Sequence, residues 1–310
     1  MHQTYEQIAT KLFDQASSEG LSPADYLLQN SARLSNQTWK RYRAALKYLA
    51  LKQQNLELAN QLARLIKAPR SQKTRTIKRA KYITQEQLDY LSRFFSDSQG
   101  TWIQRAWRLF QGSLHTGGRP IEWGCATYNP ALWVLRFQNA KRGFDRQYDY
   151  QGHHRNLLVE GDLPALICAI IADRESYFDE ILSSIEADSV EARCAIAWDQ
   201  YRNRCSEAFS RAVRAAADRN PKLFQGDLLP ILYTARHQFV ANAKAAGITG
   251  PELAQLIGHE PGSDIARHWY GRKSRGREAL KVRLVSDEEM RRLPIKPGAI
   301  APETATEEEG

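Results

Sequence analysis

The sequence of 310 residues has no hydrophobic run long enough to cross a membrane. Its longest apolar run, near residues 163–172, is about half the ~20 residues that a transmembrane helix needs. The N-terminus also lacks the basic and apolar regions of a secretory signal peptide. We therefore expect a soluble protein of the cytoplasm.

Cysteine is scarce, and its spacing argues against a zinc site. The four cysteines, none of which belongs to a CxxC pair, are Cys125, Cys168, Cys194 and Cys205. Two of them, Cys194 and Cys205, share a helical apolar stripe with Trp198 and Tyr201. We expect buried, reduced thiols, no metal site and no cofactor.

Acidic residues are too few to balance the basic ones. The chain has 44 Lys and Arg against 35 Asp and Glu, a net charge of +9 and a pI near 9.4. Residues 301–310 carry four glutamates and no basic residue, so the rest of the chain is more basic than the total suggests. This surplus indicates a polyanionic partner, most simply nucleic acid.

Residues 1–66 have the pattern of a small helical domain. Helices are predicted at 5–16, 23–29, 37–52 and 56–67, and Ser35 is a suitable cap for the third. In that third helix one face is apolar, with Trp39, Tyr42, Leu46 and Leu49. The basic residues away from this face are Lys40, Arg41, Arg43 and Lys47. They form either an ordinary solvated face or a surface that binds DNA phosphates.

Residues 67–81 form a basic linker without any acidic residue. Its seven basic side chains are Lys67, Arg70, Lys73, Arg75, Lys78, Arg79 and Lys81. Beside a duplex, each of them could neutralise a phosphate and release counterions. We therefore expect residues 40, 41, 43, 47, 70, 73, 75, 78, 79 and 81 to be the DNA-binding set.

Residues 82–293 are predicted to form a second, larger domain, followed by a disordered acidic tail at 294–310. Thr84 and Gln87 form a capping box, and a second one is predicted at 249–252. Helices are predicted at 102–114, 162–173, 191–219, 238–246 and 286–293, and short strands at 133–137 and 156–159. The expected fold class is therefore mainly α with a small β-sheet (α+β).

Three short motifs of this larger domain contain residues suited to phosphate chemistry. Arg119 follows two glycines and has Glu122 one turn later; Arg236 is predicted to begin a helix, where free N–H groups favour an anion. His259 follows Gly258, and Tyr270 lies eleven residues further on in a basic segment. Alone, each of these residues is more typical of an ordinary structural position.

The order Arg119, Lys141, Arg236, His259, Tyr270 is more specific than any one member. Through the motifs at 116–122, 235–239 and 256–259 with Tyr270, residues 84 to about 284 resemble the catalytic domain of the tyrosine recombinase (phage integrase) family. Residues 1–66 resemble the family's helical core-binding domain more weakly.

The resemblance implies a site-specific DNA recombinase or integrase that works without metal or ATP. Tyr270 would attack a DNA phosphate and form a 3′-phosphotyrosyl link. Arg119, Arg236 and His259 would stabilise the transition state, and Lys141 would protonate the leaving 5′-oxygen. Glu122 would orient a neighbouring catalytic group.

The resemblance also implies a set of partners and a cellular setting. Double-stranded DNA would be the substrate, and the active assembly would be a tetramer on two DNA sites, with residues after Tyr270 packed on a neighbouring protomer. Accessory DNA-bending or directionality proteins are further partners. The protein would belong to a prokaryotic mobile element and associate with the nucleoid.

The sequence departs from the family pattern in two places. Tyr233 stands where the family commonly has a histidine, and it is a poorer base near neutral pH. The interval from His259 to Tyr270 is about two residues longer than usual. Two alternatives therefore stay open: a catalytically impaired DNA-binding accessory protein, or a related breaking and rejoining enzyme such as a telomere resolvase or type IB topoisomerase.

Overall fold

The computed structural model describes residues 5–68, 80–140, 154–224, 228–248, 250–259, 272–277 and 280–293. The chain divides into two compact units, Met1–Ile77 and Lys78–Gly310. Each unit has its own hydrophobic core. Within the described ranges, we find no helix with the length and apolar character needed to span a membrane.

The first unit consists of helices packed around an apolar core. They are α1 (Tyr5–Ser18), α2 (Pro23–Gln29), α3 (Asn36–Lys52) and α4 (Leu56–Arg64), with a 3₁₀ turn at Ser31–Arg33. The predicted cap of α3 is confirmed, because the Ser35 side chain accepts from the Thr38 backbone N–H at 3.0 Å. Trp39, Leu46 and Leu49 bury the apolar face of this helix. The last helix is shorter than predicted because Leu65 is already extended.

The second unit is built mainly from helices. They are α5 (Gln85–Ser96), α6 (Thr101–Thr116), α7 (Leu163–Ile181), α8 (Val190–Arg219), α9 (Leu232–Ala245), α10 (Gly250–Leu256) and α11 (Asp287–Arg291). The capping box before α5 is confirmed, with Gln87 N to Thr84 Oγ1 at 3.1 Å and Thr84 N to Gln87 Oε1 at 3.0 Å. Helix α6 packs against α7, α8 and α9 and forms the centre of this unit.

A four-stranded antiparallel sheet completes the second unit. Its strands are β1 (Thr127–Asn129), β2 (Val134–Gln138), β3 (His154–Val159) and β4 (Val282–Val285), in the order β1-β2-β3-β4. The mainly α fold class with a small β-sheet is confirmed. Strand β4 pairs with β3 of the same chain, with Leu284 opposite Leu157. Residues 282–285 thus pair within their own unit, and the expected packing of the chain after Tyr270 on a neighbouring protomer stays a prediction.

Two helices extend beyond their predicted bounds. Helix α7 continues to Ile181, and its added part contributes the fully buried Tyr177, whose ring packs on Trp102 and Tyr201 in the core. Helix α9 begins six residues early, at Leu232. Arg236 therefore lies inside α9, and the prediction that it begins a helix is wrong.

The cysteines follow the expectation only in part. Cys205 on α8 is buried, Cys194 is half-buried, and Cys125 and Cys168 are exposed. All four are free thiols. Burial of the Cys205 thiol raises its pKa to about 12, so it is protonated and unreactive at neutral pH.

Candidate active site

A buried carboxylate, that of Glu122, lies at the centre of the candidate site. Glu122 begins a 3₁₀ turn (Glu122–Cys125) just after α6, and it is 2% exposed. Its carboxylate accepts from Arg119 N at 2.8 Å, Arg155 Nη2 at 2.8 Å and Ala140 N at 3.2 Å. It also pairs with Arg119 Nη1, and Arg236 Nη1 lies 3.9 Å away. One side chain thus connects the end of α6, strands β2 and β3, and helix α9.

The charges around Glu122 keep it ionised. Burial alone would raise the pKa of this carboxyl group, but the Coulombic attraction of Arg155, Arg236 and Arg119 and the hydrogen bond from Arg155 lower it to about 2. Arg119, Arg155 and Arg236 are each charged, because a guanidinium is effectively always protonated. This group of one carboxylate and three guanidiniums therefore carries a surplus of positive charge at neutral pH.

The turn after α6 places Arg119. Gly117 ends α6 in a left-handed conformation with φ of 68°, and a Cβ there would overlap the Phe239 ring. The turn allows Arg119, which is 6% exposed, to return toward Glu122. Its Nη2 lies 3.0 Å from His259 Nε2. The two glycines in the motif are thus explained by close packing against α9 and the sheet.

Arg236 is fixed by the interior of α9. It is fully buried, and its guanidinium donates to the carbonyls of Gly117 and Ile257. These two carbonyls belong to the turn after α6 and to the segment after α10. Arg236 therefore holds together the two chain segments that carry Arg119 and His259.

His259 follows α10 through a left-handed glycine. Gly258 has φ of 62°, and the His259 N–H donates to Ala254 O at 2.8 Å. The His259 side chain, in a residue that is 8% exposed, contacts Arg119. The structure thus brings together Arg119, Arg236 and His259, three of the predicted catalytic residues, around Glu122.

Sequence reasoning missed Arg155 and Asn139, which complete the group. Arg155 lies on β3 and is 5% exposed. Besides bonding Glu122, it donates through Nη1 to Asn139 Oδ1. Its guanidinium also lies over the Phe137 ring, 4.7 Å from the ring centre. No local motif marks a buried arginine, so only the Glu122 motif could have indicated it.

Tyr233 lies one turn before Arg236 on α9 and is half-buried. Its ring packs edge-to-face on His237, with 5.3 Å between ring centres. Burial, together with the charges of Lys81 and Arg236, lowers the pKa of His237 to about 4. Thr234 Oγ1 donates to Ala80 O at 2.8 Å, which places the exposed Lys81 beside α9.

The predicted DNA-binding residues of α3 are not equivalent. Lys40, Arg41 and Lys47 are exposed, whereas Arg43 is half-buried and donates through Nη1 to Leu65 O at 3.1 Å. The predicted residues that lie outside the described part of the chain are Arg70, Lys73, Arg75, Lys78, Arg79, Lys141 and Tyr270.

A further basic cluster lies on the second unit, in the basic segment that follows Tyr270 in sequence. Its exposed members are Arg272, Lys273, Arg275 and Arg277. Arg275 lies over the Tyr82 ring, 4.3 Å from its centre, and the Arg275 carbonyl accepts from Gln238 Nε2 at 2.7 Å on α9. The segment that follows Tyr270 in sequence is thus packed on the same helix that carries Arg236.

Comparisons with known proteins establish the fold. No protein-family model and no curated protein matches the sequence. The structure of the Tn1549 transposon integrase in complex with a circular intermediate DNA matches with a TM-score of 0.50, at 13% identity, over 80% of this chain and 79% of that chain. A lambda integrase dimer bound to a core site matches with a TM-score of 0.42, at 19% identity, over 90% and 67%. Both proteins are tyrosine recombinases. The match to the Tn1549 integrase confirms the predicted resemblance at the level of the fold.

Proposed function

We propose that this chain, which has the fold of the tyrosine recombinases, is a site-specific DNA recombinase or integrase. The observation that carries the proposal is the convergence of Arg119 and Arg236 on the buried Glu122, with His259 in contact with Arg119. Three guanidiniums and one carboxylate leave positive charge that a phosphodiester would neutralise. Preorganised donors of this kind stabilise a phosphoryl transition state best, because its charge exceeds that of the ground state.

In the proposed reaction Tyr270 is the nucleophile. Its phenolic oxygen forms a bond to the phosphorus of the DNA backbone, and the phenolic proton passes to water. The bond from phosphorus to the 5′-oxygen breaks, and this oxygen keeps the electron pair and takes a proton from the Lys141 ammonium. The products are a 3′-phosphotyrosyl link and a free 5′-hydroxyl. Attack by the 5′-hydroxyl of another strand then reverses the step and joins the new strands.

The described neighbours of Lys141 and Tyr270 support their assignment. Ala140, which precedes Lys141, donates its N–H to Glu122 at 3.2 Å. Arg275, five residues after Tyr270, is held on α9 by Gln238. Both predicted residues are therefore adjacent in sequence to segments that pack on the site.

The exposed basic residues support a role in DNA binding. Lys40, Arg41 and Lys47 of α3 and Lys81 beside α9 would contact phosphates, as would the cluster at 272–277. Tetramer formation on two DNA sites, and the involvement of accessory DNA-bending or directionality proteins, are further parts of this proposal. Both follow from the resemblance.

Covalent capture tests the proposal. Nicked duplexes that tile the DNA on both sides of the coding sequence are incubated with the protein, and adducts that resist boiling in detergent are collected. Wild-type protein is expected to capture one sequence, and Tyr270→Phe none. Arg119→Ala and Arg236→Ala should lose capture far more than binding, because their contacts strengthen in the transition state.

Other outcomes would contradict the recombinase proposal in defined ways. An adduct that survives Tyr270→Phe would rule out the assigned nucleophile. Sequence-specific binding without any adduct would favour the accessory protein, the alternative raised by Tyr233 in place of histidine. Hairpin products or relaxed supercoils without recombinants would favour the telomere resolvase or topoisomerase alternative.

A further inference from the structure

Arg155 is a buried charge whose contacts all serve other residues of the site. It is 5% exposed, so it has little surface with which to meet DNA. Its Nη2 donates to Glu122 Oε2 at 2.8 Å, and its Nη1 donates to Asn139 Oδ1. A buried arginine is costly unless it is paired with an opposite charge, and here Glu122 supplies that charge. With one terminal nitrogen bonded to Glu122 and the other to Asn139, Arg155 fixes these two partners relative to each other.

The segment held by Arg155 and Glu122 directly precedes Lys141, the predicted general acid, in the sequence. Asn139 and Ala140 come directly after β2, and Ala140 N donates to Glu122 Oε1 at 3.2 Å. Arg155 and Glu122 thus hold two consecutive residues at the end of β2. The Arg155 guanidinium also lies over the ring of Phe137 on β2, 4.7 Å from the ring centre. Arg155 therefore contacts both β2 itself and Asn139, the residue that follows it.

Gly258, the residue before His259, packs closely against the Arg155 and Asn139 side chains. A Cβ at Gly258 would lie 2.6 Å from Arg155 Nη1 and would also overlap the Asn139 amide. Only glycine permits such an approach without displacing these groups. The end of β2 is therefore enclosed by Glu122, Arg155 and the turn that carries His259.

We infer that Arg155 is a positioning residue for the departure of the 5′-oxygen. Together with Glu122, it holds Asn139 and Ala140, the two residues between β2 and Lys141. The position of the residue that precedes the general acid is thereby fixed. The inference rests on the proposed function, but it concerns one half of the reaction only. Loss of Arg155 would impair protonation of the leaving group, whereas loss of Arg119 would impair binding of the non-bridging oxygens.

A sulfur substrate separates these two effects. When sulfur replaces the bridging 5′-oxygen in the captured duplex, the bond from phosphorus to sulfur breaks and the electron pair stays on a thiolate. A thiol has a pKa of ~8.5, against ~15.7 for water and similar values for an alcohol. The thiolate therefore leaves without a proton donor, and a defect in protonation no longer slows cleavage.

The expected result is a selective rescue. Arg155→Met should slow adduct formation on the oxygen substrate by about 10²-fold, in the range of general acid catalysis, and should cleave the sulfur substrate at nearly the wild-type rate. Asn139→Ala, which keeps the bond from Arg155 to Glu122, should behave in the same way with a smaller loss. Lys141→Ala should be rescued as well, and Arg119→Ala should stay slow on both substrates.

A matched control separates positioning from damage to the fold. Arg108→Met removes an arginine that makes a bidentate pair with Asp173 at 2.7 and 2.9 Å on α6 and α7. It should lower thermal stability and leave the ratio of the rates on sulfur and oxygen unchanged. Circular dichroism and melting temperature are measured for each variant, and both substrates are assayed well below the melting transition.

Two results would overturn the inference. Arg155→Met and Asn139→Ala that are folded but equally slow on oxygen and sulfur would show that Arg155 acts through the guanidiniums that bind phosphate. Variants as fast as wild type on oxygen would show that Arg155 has no part in the reaction. Failure of wild-type protein to form any adduct is a different result, since it removes the proposed function and this inference with it.

Discussion

Replacing Glu122 with glutamine tests whether this carboxylate organises the site. Glutamine has nearly the same shape but no charge, so Arg119, Arg155 and Arg236 lose the anion that they surround. Removing one partner of a buried ion pair costs about 3–5 kcal/mol, because the remaining charge stays buried and uncompensated. We therefore expect a large loss in the free energy of unfolding.

The pKa of Glu122 gives a second estimate of the same effect. It falls from an ordinary 4.5 to about 2 in the folded protein. With ~1.4 kcal/mol for each pH unit, the ionised carboxylate stabilises the fold by roughly 3 kcal/mol. Since the folded-state pKa lies below the unfolded value, this stabilisation is complete above pH 4.5 and is lost as the pH falls to about 2.

Urea unfolding, followed by tryptophan fluorescence, measures the effect. At about pH 7, Glu122→Gln should lower the free energy of unfolding by about 3 kcal/mol, and at about pH 3 the difference from wild type should be much smaller. Glu207→Gln, at an exposed position on α8, is the control and should change stability by less than about 0.5 kcal/mol. A loss below about 1 kcal/mol at neutral pH, or an equal loss at both pH values, would refute the reasoning.

Three further predictions concern other parts of the chain. Gly258→Ala should lower the melting temperature much more than Gly161→Ala. Both glycines have positive φ, but of these two only Gly258 lacks space for a Cβ. Equal shifts in melting temperature would contradict the close packing of Gly258 on Arg155. Lys47→Ala should reduce the salt dependence of DNA binding by about one counterion, and Arg43→Ala by less, because Arg43 donates to a backbone carbonyl; equal slopes in a binding titration would argue against this distinction. The pKa of His237 is lowered to about 4, so its imidazole should stay neutral at about pH 6 in an NMR titration, and a midpoint near 6.5 would show that it is not desolvated.

Local signals in the sequence predicted the helices that begin with a polar cap. Ser35 and the Thr84–Gln87 pair cap α3 and α5 as expected, because these contacts need only residues three apart. The start of α9 had no such signal. Ile231 cannot accept a hydrogen bond through its side chain, and Thr234 accepts from the Ile231 N–H at 2.9 Å instead.

Contacts between distant residues account for what the sequence did not predict. Strand β4 is four residues long, and it is defined by its pairing with β3, more than a hundred residues earlier. Arg155 is a buried cation whose charge is balanced by Glu122, 33 residues away in the sequence. The motifs around Arg119, Arg236 and His259 could be found because each combines a reactive residue with the glycine or helix that places it.

The burial of α9 affects how the protein can vary by mutation. Ten of its fourteen residues are buried, and Arg236 lies among them rather than at an open surface. A substitution at Phe239 or Ala235 would move the helix backbone and displace the guanidinium along with it. In a saturation mutagenesis screen, inactivating changes should therefore concentrate along α9 at side chains that never meet the substrate, and evolution has little freedom to alter this helix without losing both folding and function.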